Sequence, residues 1–297
     1  MKAARLSAGR FCMGAAMITL SPDMIEQAVQ VAPDQTLATS FLAPEARAGM
    51  IALILFTHEV SRARQAVSEP MLAAIRLQWW REALDEIYTG KTVRAQPTAQ
   101  ALAQTIRAFD LPRPWLDTLI DAFAVEQDDV PFQTWAELAD HGDQTYGNFN
   151  RLALLIAGAP AISAPLDQVA RHAGMLWRLC DLMAQWPRWT HRRQLWLPIE
   201  AQAGLDIEAT FAGKTSRALA IAFQQAHDQI LAARKRANQA CAEATFGQAF
   251  PAVAYAALGF PYAKAFRSLS DPFRQVASLS LLERQVRLVW AVSRQRL

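Results

Sequence analysis

A chain of 297 residues has room for one or two domains, and 52% hydrophobic residues with only 12 glycines is the composition of a well-buried globular protein, which excludes a disordered chain. Lys and Arg total 30 against 27 Asp and Glu, a formal net charge of +3. That small, dispersed excess excludes an electrostatic nucleic-acid binder. Cys12, Cys180 and Cys241 are far apart and form no CxxC or Cys/His spacing, so no disulfide framework is expected and a reducing compartment, the cytoplasm, is the default.

At the N-terminus, Lys2, Arg5 and Arg10 precede an apolar run from Phe11 to Leu20. This reads either as a weak signal peptide lacking a clean A-x-A site or as an over-long start or frayed tail, with Met13, Met17 and Met24 as alternative starts. Residues 1–29 are taken as an extension and 30–297 as one domain. Pro44 to Arg64 reads as the first long helix. Met50, Ile51, Ile54, Leu55 and Val60 make it apolar on most sides, as suits the inside of a bundle. Ser68 or Glu69 can cap the next helix, Pro70 fits its first turn and Gly90 lies just past its end. Leu77, Trp80, Leu84 and Ile87 stack on one face; the neighbouring Trp79 and Trp80 point about 100° apart and need two walls to receive them. Further helices are expected at Thr98–Phe109, Pro114–Val125, Thr134–Ala157 and Leu166–Gln185. A break at Pro187–Pro198, a helix at Ser216–Glu243, and two more in Pro251–Leu297, separated near Asp271-Pro272, complete the chain. No strand alternation is found, so the fold class is all-α. No stretch reaches the roughly 18–20 apolar residues of a membrane span.

Several local groups have competing readings. His58 and Glu59 are adjacent and face different ways. His58 and Arg62 share a face but lack the logic of a base and a nucleophile. Asp140, His141 and Asp143 are either a capped, solvated turn or a metal site; Asp128-Asp129 is a loop. Trp79, Trp80 and Trp177 are expected in the core. Trp186, Trp189 and Trp196, interleaved with Arg188, Arg192 and Arg193, either close a cavity or meet a membrane interface. Arg192 and Arg193 are either a solvated helix end or an anion site. No Walker loop, GxGxxG or GxSxG occurs.

Four segments together resemble the squalene/phytoene synthase family: Leu42 to Arg47 leading into Leu53 to Val60, Arg76-Leu77-Gln78-Trp79-Trp80-Arg81-Glu82, Thr145-Tyr146-Gly147, and Arg192-Arg193-Gln194-Leu195-Trp196-Leu197-Pro198. The resemblance covers roughly residues 30 to 295 and implies a single all-α bundle around an apolar, isoprenoid-sized cavity. Active members couple two prenyl diphosphates head to head. Two facing aspartate-rich helices hold Mg²⁺ against the leaving diphosphate, because Mg²⁺ takes hard oxygen ligands.

Carried over residue by residue, the first aspartate motif keeps Glu59 and Val60, but its three aspartate positions hold Ser61, Arg62 and Gln65. In the second, Asp181 occupies the Asn position, and the aspartate positions hold Gln185 and Trp189. His141 stands where the family has a Tyr. Asp34-Gln35-Thr36 keeps only the acid of an acid-Arg-Tyr triplet that helps hold diphosphate. Similar losses mark a branch that includes the mitochondrial complex I assembly factor and bacterial relatives, and the chain looks closer to that branch. The resemblance therefore implies a catalytically degenerate protein with no cofactor, cytoplasmic or peripheral to the inner membrane. Such a protein would bind an isoprenoid or other lipid, or act in assembly of a membrane respiratory complex. The alternative is an active, Mg²⁺-dependent prenyltransferase with an unusual site.

Overall fold

The computed structural model describes residues 18–63, 70–125 and 132–297. Gln65, Cys12, Asp128-Asp129, the proposed caps Ser68 and Glu69, and most of the N-terminal apolar run lie outside them. Among the described residues there are fourteen α-helices and no strand: α1 (Pro22–Val31), α2 (Pro33–Ala38), α3 (Pro44–Ser61), α4 (Pro70–Tyr88), α5 (Pro97–Phe109), α6 (Arg113–Val125), α7 (Trp135–Gly142), α8 (Asn148–Ile156), α9 (Ala164–Ala184), α10 (Trp186–His191), α11 (Ile207–Phe211), α12 (Arg217–Glu243), α13 (Gly259–Arg267) and α14 (Leu281–Arg294).

Helix starts follow local chemistry. Ser21, Thr134, Ser163, Asp206, Ser216 and Ser280 each accept a hydrogen bond from a first-turn amide, satisfying donors that have no intrahelical partner. Gly90 ends α4 with a positive φ of 72°, the left-handed conformation that costs glycine nothing. The expected break at Pro187–Pro198 begins too early. Pro187 sits in the first turn of α10, where its missing N–H is no loss, and the chain turns back only after His191. The helix expected over Thr134–Ala157 is a continuous helical path, but a π-helical turn at Asp143–Gly147 divides it into α7 and α8.

The core is continuous. α9 lies at its centre, buried on nearly every side and packed against α12, α7, α8, α13 and the π turn. Gly174 permits the closest approach: a Cβ there would run into the backbone of Gly147. α3 crosses the other side of the bundle with eleven buried residues, which is why its hydrophobicity has no clear outer stripe. α1 packs on α3 through Met24 and Ala28, an element that sequence reasoning did not identify. Several polar groups enclosed by this core are paired. Tyr255 Oη donates to Asn150 Oδ1 at 2.7 Å, Asn150 donates to the Ala170 carbonyl, and Arg151 bridges Asp143 (2.8 Å) and Asp167 (2.6 Å).

Candidate functional site: a cavity between α3 and α9

A cavity of about 270 Å³ opens between α2, α3, α9 and α13. Its wall is mostly apolar and aromatic. Trp177 meets Tyr255 edge-on at 4.9 Å and Tyr262 at 6.3 Å, with Phe149 behind. Thr57 adds a buried hydroxyl oxygen with no hydrogen-bond partner among the described residues. Cys180 also lines the wall. Its thiol, raised well above the usual range by burial, donates to the Gly259 carbonyl and is inert.

Two carboxylates line this cavity, and each is engaged by an arginine. Asp34 accepts from Tyr262 Oη at 2.9 Å and from Arg284 at 3.2 Å. Asp181 accepts from Arg178 at 3.2 Å and from Gln185 at 2.8 Å. Burial raises both above the ordinary carboxylate pKa, with the arginines and the other donors pulling the other way. Neither Arg178 nor Arg284 figured in the sequence reading. Arg178 was legible, since i and i+3 are neighbours on a helix. Arg284 is 250 residues from Asp34 and had no local signal.

Of the positions read as the degenerate first motif, Glu59 and Ser61 sit on the last turn of α3. Ser61 lines the cavity, its hydroxyl donating to the His58 carbonyl at 3.1 Å. Arg62 caps the helix and is exposed. Glu59 turns away to α5, accepting from Thr98 at 2.7 Å and Gln96 at 3.2 Å. It lines a second pocket, of about 620 Å³, that shares His58 with the first and includes Arg62, Arg76, Trp79 and Trp80. His58 is held neutral, its pKa lowered to about 4 by burial first, then by Arg62 and Arg188. Arg188 on α10 is itself lowered by burial, then by Arg62 and Arg192. Arg62 and Arg188 therefore lie near His58 and near one another, and Asp181 acts on Arg188 in the opposite sense. Neither Arg62 nor Arg188 has an ion-pair partner among the described residues.

The remaining expected residues are dispersed. Gln185 serves Asp181, and Trp189 is half-buried against the core. His141 is not at the cavity. It is enclosed by Phe132 and Phe123, with Nε2 at 3.1 Å from the Ala122 carbonyl, and burial followed by Arg178 lowers its pKa to about 3. Asp140 and Asp143 pair with Arg171, and Asp143 also with Arg151, so the metal reading of that trio gives way to ion pairing. Among the described residues no three His, Cys, Asp or Glu side chains converge on a potential metal position. Of Arg192 and Arg193, read as either a solvated helix end or an anion site, Arg193 pairs with Glu208 and lies over the Phe211 ring at 5.0 Å. The membrane-interface reading of Trp186 and Trp196 fails too. Both are buried, Trp186 against Trp196 (5.9 Å) and Phe223 (4.9 Å).

A family model described as squalene/phytoene synthase matches residues 29–285. Similar solved structures include a dehydrosqualene synthase in complex with ligand, with TM-score 0.75 and 13% identity, covering 92% of this chain and 95% of that one. Another is the squalene synthase HpnC from Alicyclobacillus acidocaldarius, with TM-score 0.67 and 17% identity, covering 83% and 95%. At these identities the likeness is one of fold. Among curated proteins, complex I assembly factor 6 of Bos taurus is 28% identical over 164 residues, 55% of this chain and 48% of that one. The Homo sapiens protein is 26% identical over 164 residues, with the same coverage. The chain thus spans about half the length of the curated relatives it matches.

Proposed function

The chain belongs to the squalene/phytoene synthase family, and from that premise we propose that it is a catalytically degenerate member that binds an isoprenoid or other lipid in the α3–α9 cavity and acts in assembly of a membrane respiratory complex. One observation carries the first half. The two carboxylates lining the cavity are each occupied by an arginine, and Arg62 and Arg188 lie near the cavity-lining His58, beside a motif position where the family's reaction needs acid.

Mg²⁺ fits these residues poorly. It requires several hard oxygen ligands in near-octahedral array. Ser61 and Gln185 offer only neutral oxygens, each side chain donating a hydrogen bond within the fold, and Arg62 repels a cation. Losing metal stabilisation of a diphosphate leaving group costs several kcal/mol, and each ~1.36 kcal/mol is tenfold in rate. The cavity volume of about 270 Å³ lies just under the roughly 300–1,000 Å³ usual for small-molecule sites. That favours one short apolar chain over two prenyl chains side by side. The assembly role follows the names of the complex I assembly factor 6 relatives.

Incubation of the purified chain with farnesyl or geranylgeranyl diphosphate and Mg²⁺ tests the catalytic half. No pyrophosphate release is expected, while farnesol or a related isoprenoid should quench the tryptophan emission through Trp177. Turnover by the unmodified chain would sink the degenerate reading. For the assembly half, deletion in the host should lower assembled complex I on native gels, and an unchanged amount argues against it.

A further inference from the structure

α14 has two apolar faces and only one of them is covered. Leu288 and Ala291 point into the core, and Arg284 on the same side reaches Asp34. The far end is pinned as well: Leu297 N donates to Asn238 Oδ1 at 2.9 Å, while Arg234 and Asn238 donate to the Leu297 carbonyl. The helix is thus held firmly along its inner side. On its outer side Leu282, Val286, Val289 and Trp290 recur at the i, i+4, i+7, i+8 spacing of a single stripe. They are 70%, 60%, 55% and 49% exposed.

Beside this stripe the surface is basic. Arg287 and Arg294 flank it on α14, with Glu283, paired to Arg287, the one acid of the helix. Between α12 and the end of α14 lies a shallow groove of about 600 Å³ lined by Arg234, Lys235, Asn238 and Arg296 and by no carboxylate side chain. Burial, then Arg287 and Arg296, hold Arg234 below the usual arginine range, so these cations are near one another. Lys235, Arg294 and Arg296 have no ion-pair partner among the described residues. An aliphatic stripe with a tryptophan, rimmed by unneutralised Lys and Arg, is the arrangement of a helix lying in a lipid headgroup layer. A protein partner would need an acid placed against each of these cations, whereas an anionic lipid surface supplies phosphates along the whole rim. No helix among the described residues is long and apolar enough to cross a membrane.

We infer that the outward face of α14, with the adjoining basic groove of α12, docks on an anionic phospholipid surface: Leu282, Val286, Val289 and Trp290 enter the acyl boundary, and Lys235, Arg287, Arg294 and Arg296 meet lipid phosphates. The docking is independent of what the α3–α9 cavity holds.

Co-sedimentation of the full chain with vesicles tests it. Phosphatidylcholine vesicles carrying about one-third phosphatidylglycerol should bind at least about tenfold more tightly than pure phosphatidylcholine, with the difference shrinking in high salt. Val286→Glu with Val289→Glu should lose at least about tenfold in binding while keeping the wild-type circular dichroism and melting temperature, since both side chains point outward. Leu282→Asp, whose acid sits in the helix's first turn and suits the dipole, should lose binding in the same direction and covers the case in which the double variant misfolds. Lys235→Gln with Arg296→Gln should remove the preference for the anionic vesicles. Wild-type protein left in the supernatant, or outward-face variants that sediment as wild type does, would overturn the inference. So would a wild-type dimer, blind to vesicles, that Leu282→Asp renders monomeric, since the face would then belong to a second copy.

Discussion

The packed side of α9 and the cavity entrance beside its C-terminal end treat charge in opposite ways. Where α8 and the π turn press on α9, the guanidinium of Arg151 lies between Asp143 and Asp167, and Asn150 and Tyr255 satisfy each other. Near His58, Arg62 and Arg188 stand close enough to disfavour its protonation, with the Asp181 carboxylate opposing only in part at Arg188. Buried polar groups that are paired hold a fold together. Like charges brought together cost stability, so their neighbourhood at the entrance points to something outside the chain that they meet.

This contrast predicts a gradient of effects. Gly174→Ala should be the most damaging, since its Cβ meets the Gly147 backbone and α9 must move away from the π turn. A loss of about 3 kcal/mol is expected in denaturant melts; a neutral result would mean that the π turn yields easily. Arg151→Met should cost about 2 kcal/mol, less than a fully buried pair because Asp167 is partly solvated. A loss below that of a surface substitution would place the stability elsewhere.

The third effect depends on pH. His141 has a folded pKa of about 3 against an ordinary 6.5, so the unfolded chain takes up the proton first as pH falls. Stability is whole above 6.5 and declines as pH drops from 6.5 towards 3, by about 2 kcal/mol near pH 5. His141→Gln should flatten that decline, and an unchanged pH profile would contradict the burial of a neutral imidazole. Arg62→Ala is the mildest change, within about 0.5 kcal/mol in stability. Burial still dominates at His58, but with one neighbouring cation gone its pKa should rise from about 4, as read by NMR titration. A pKa that stays put would separate the two arginine-bearing walls and weaken the cationic-entrance argument.

Much of this was legible one helix at a time. The apolar surround of α3, the tandem Trp79-Trp80 and Gly90 at the end of α4 follow from spacing and local propensity, which need only neighbouring residues. The expectation that Ser61, Arg62, Gln185 and Trp189 stand at the family's acid positions likewise came from residue type alone. Less was legible where a residue's role depends on a distant partner. His141, read as part of a solvated turn or a metal site, is buried against Phe132 and the Ala122 carbonyl because α7 turns it towards α6. Trp186 and Trp196, basic-flanked in sequence, are enclosed by Phe223 and each other.

The sequence by itself determined that the chain is helical and that it is a member of a synthase family, since helical period and residue identity are local properties. Only the tertiary structure decided that Asp34 is already held by Arg284, 250 residues away, and that α14 leaves a second apolar face uncovered. Both depend on which surfaces meet when segments hundreds of residues apart pack together, and burial of one face leaves no mark in the periodicity of the other.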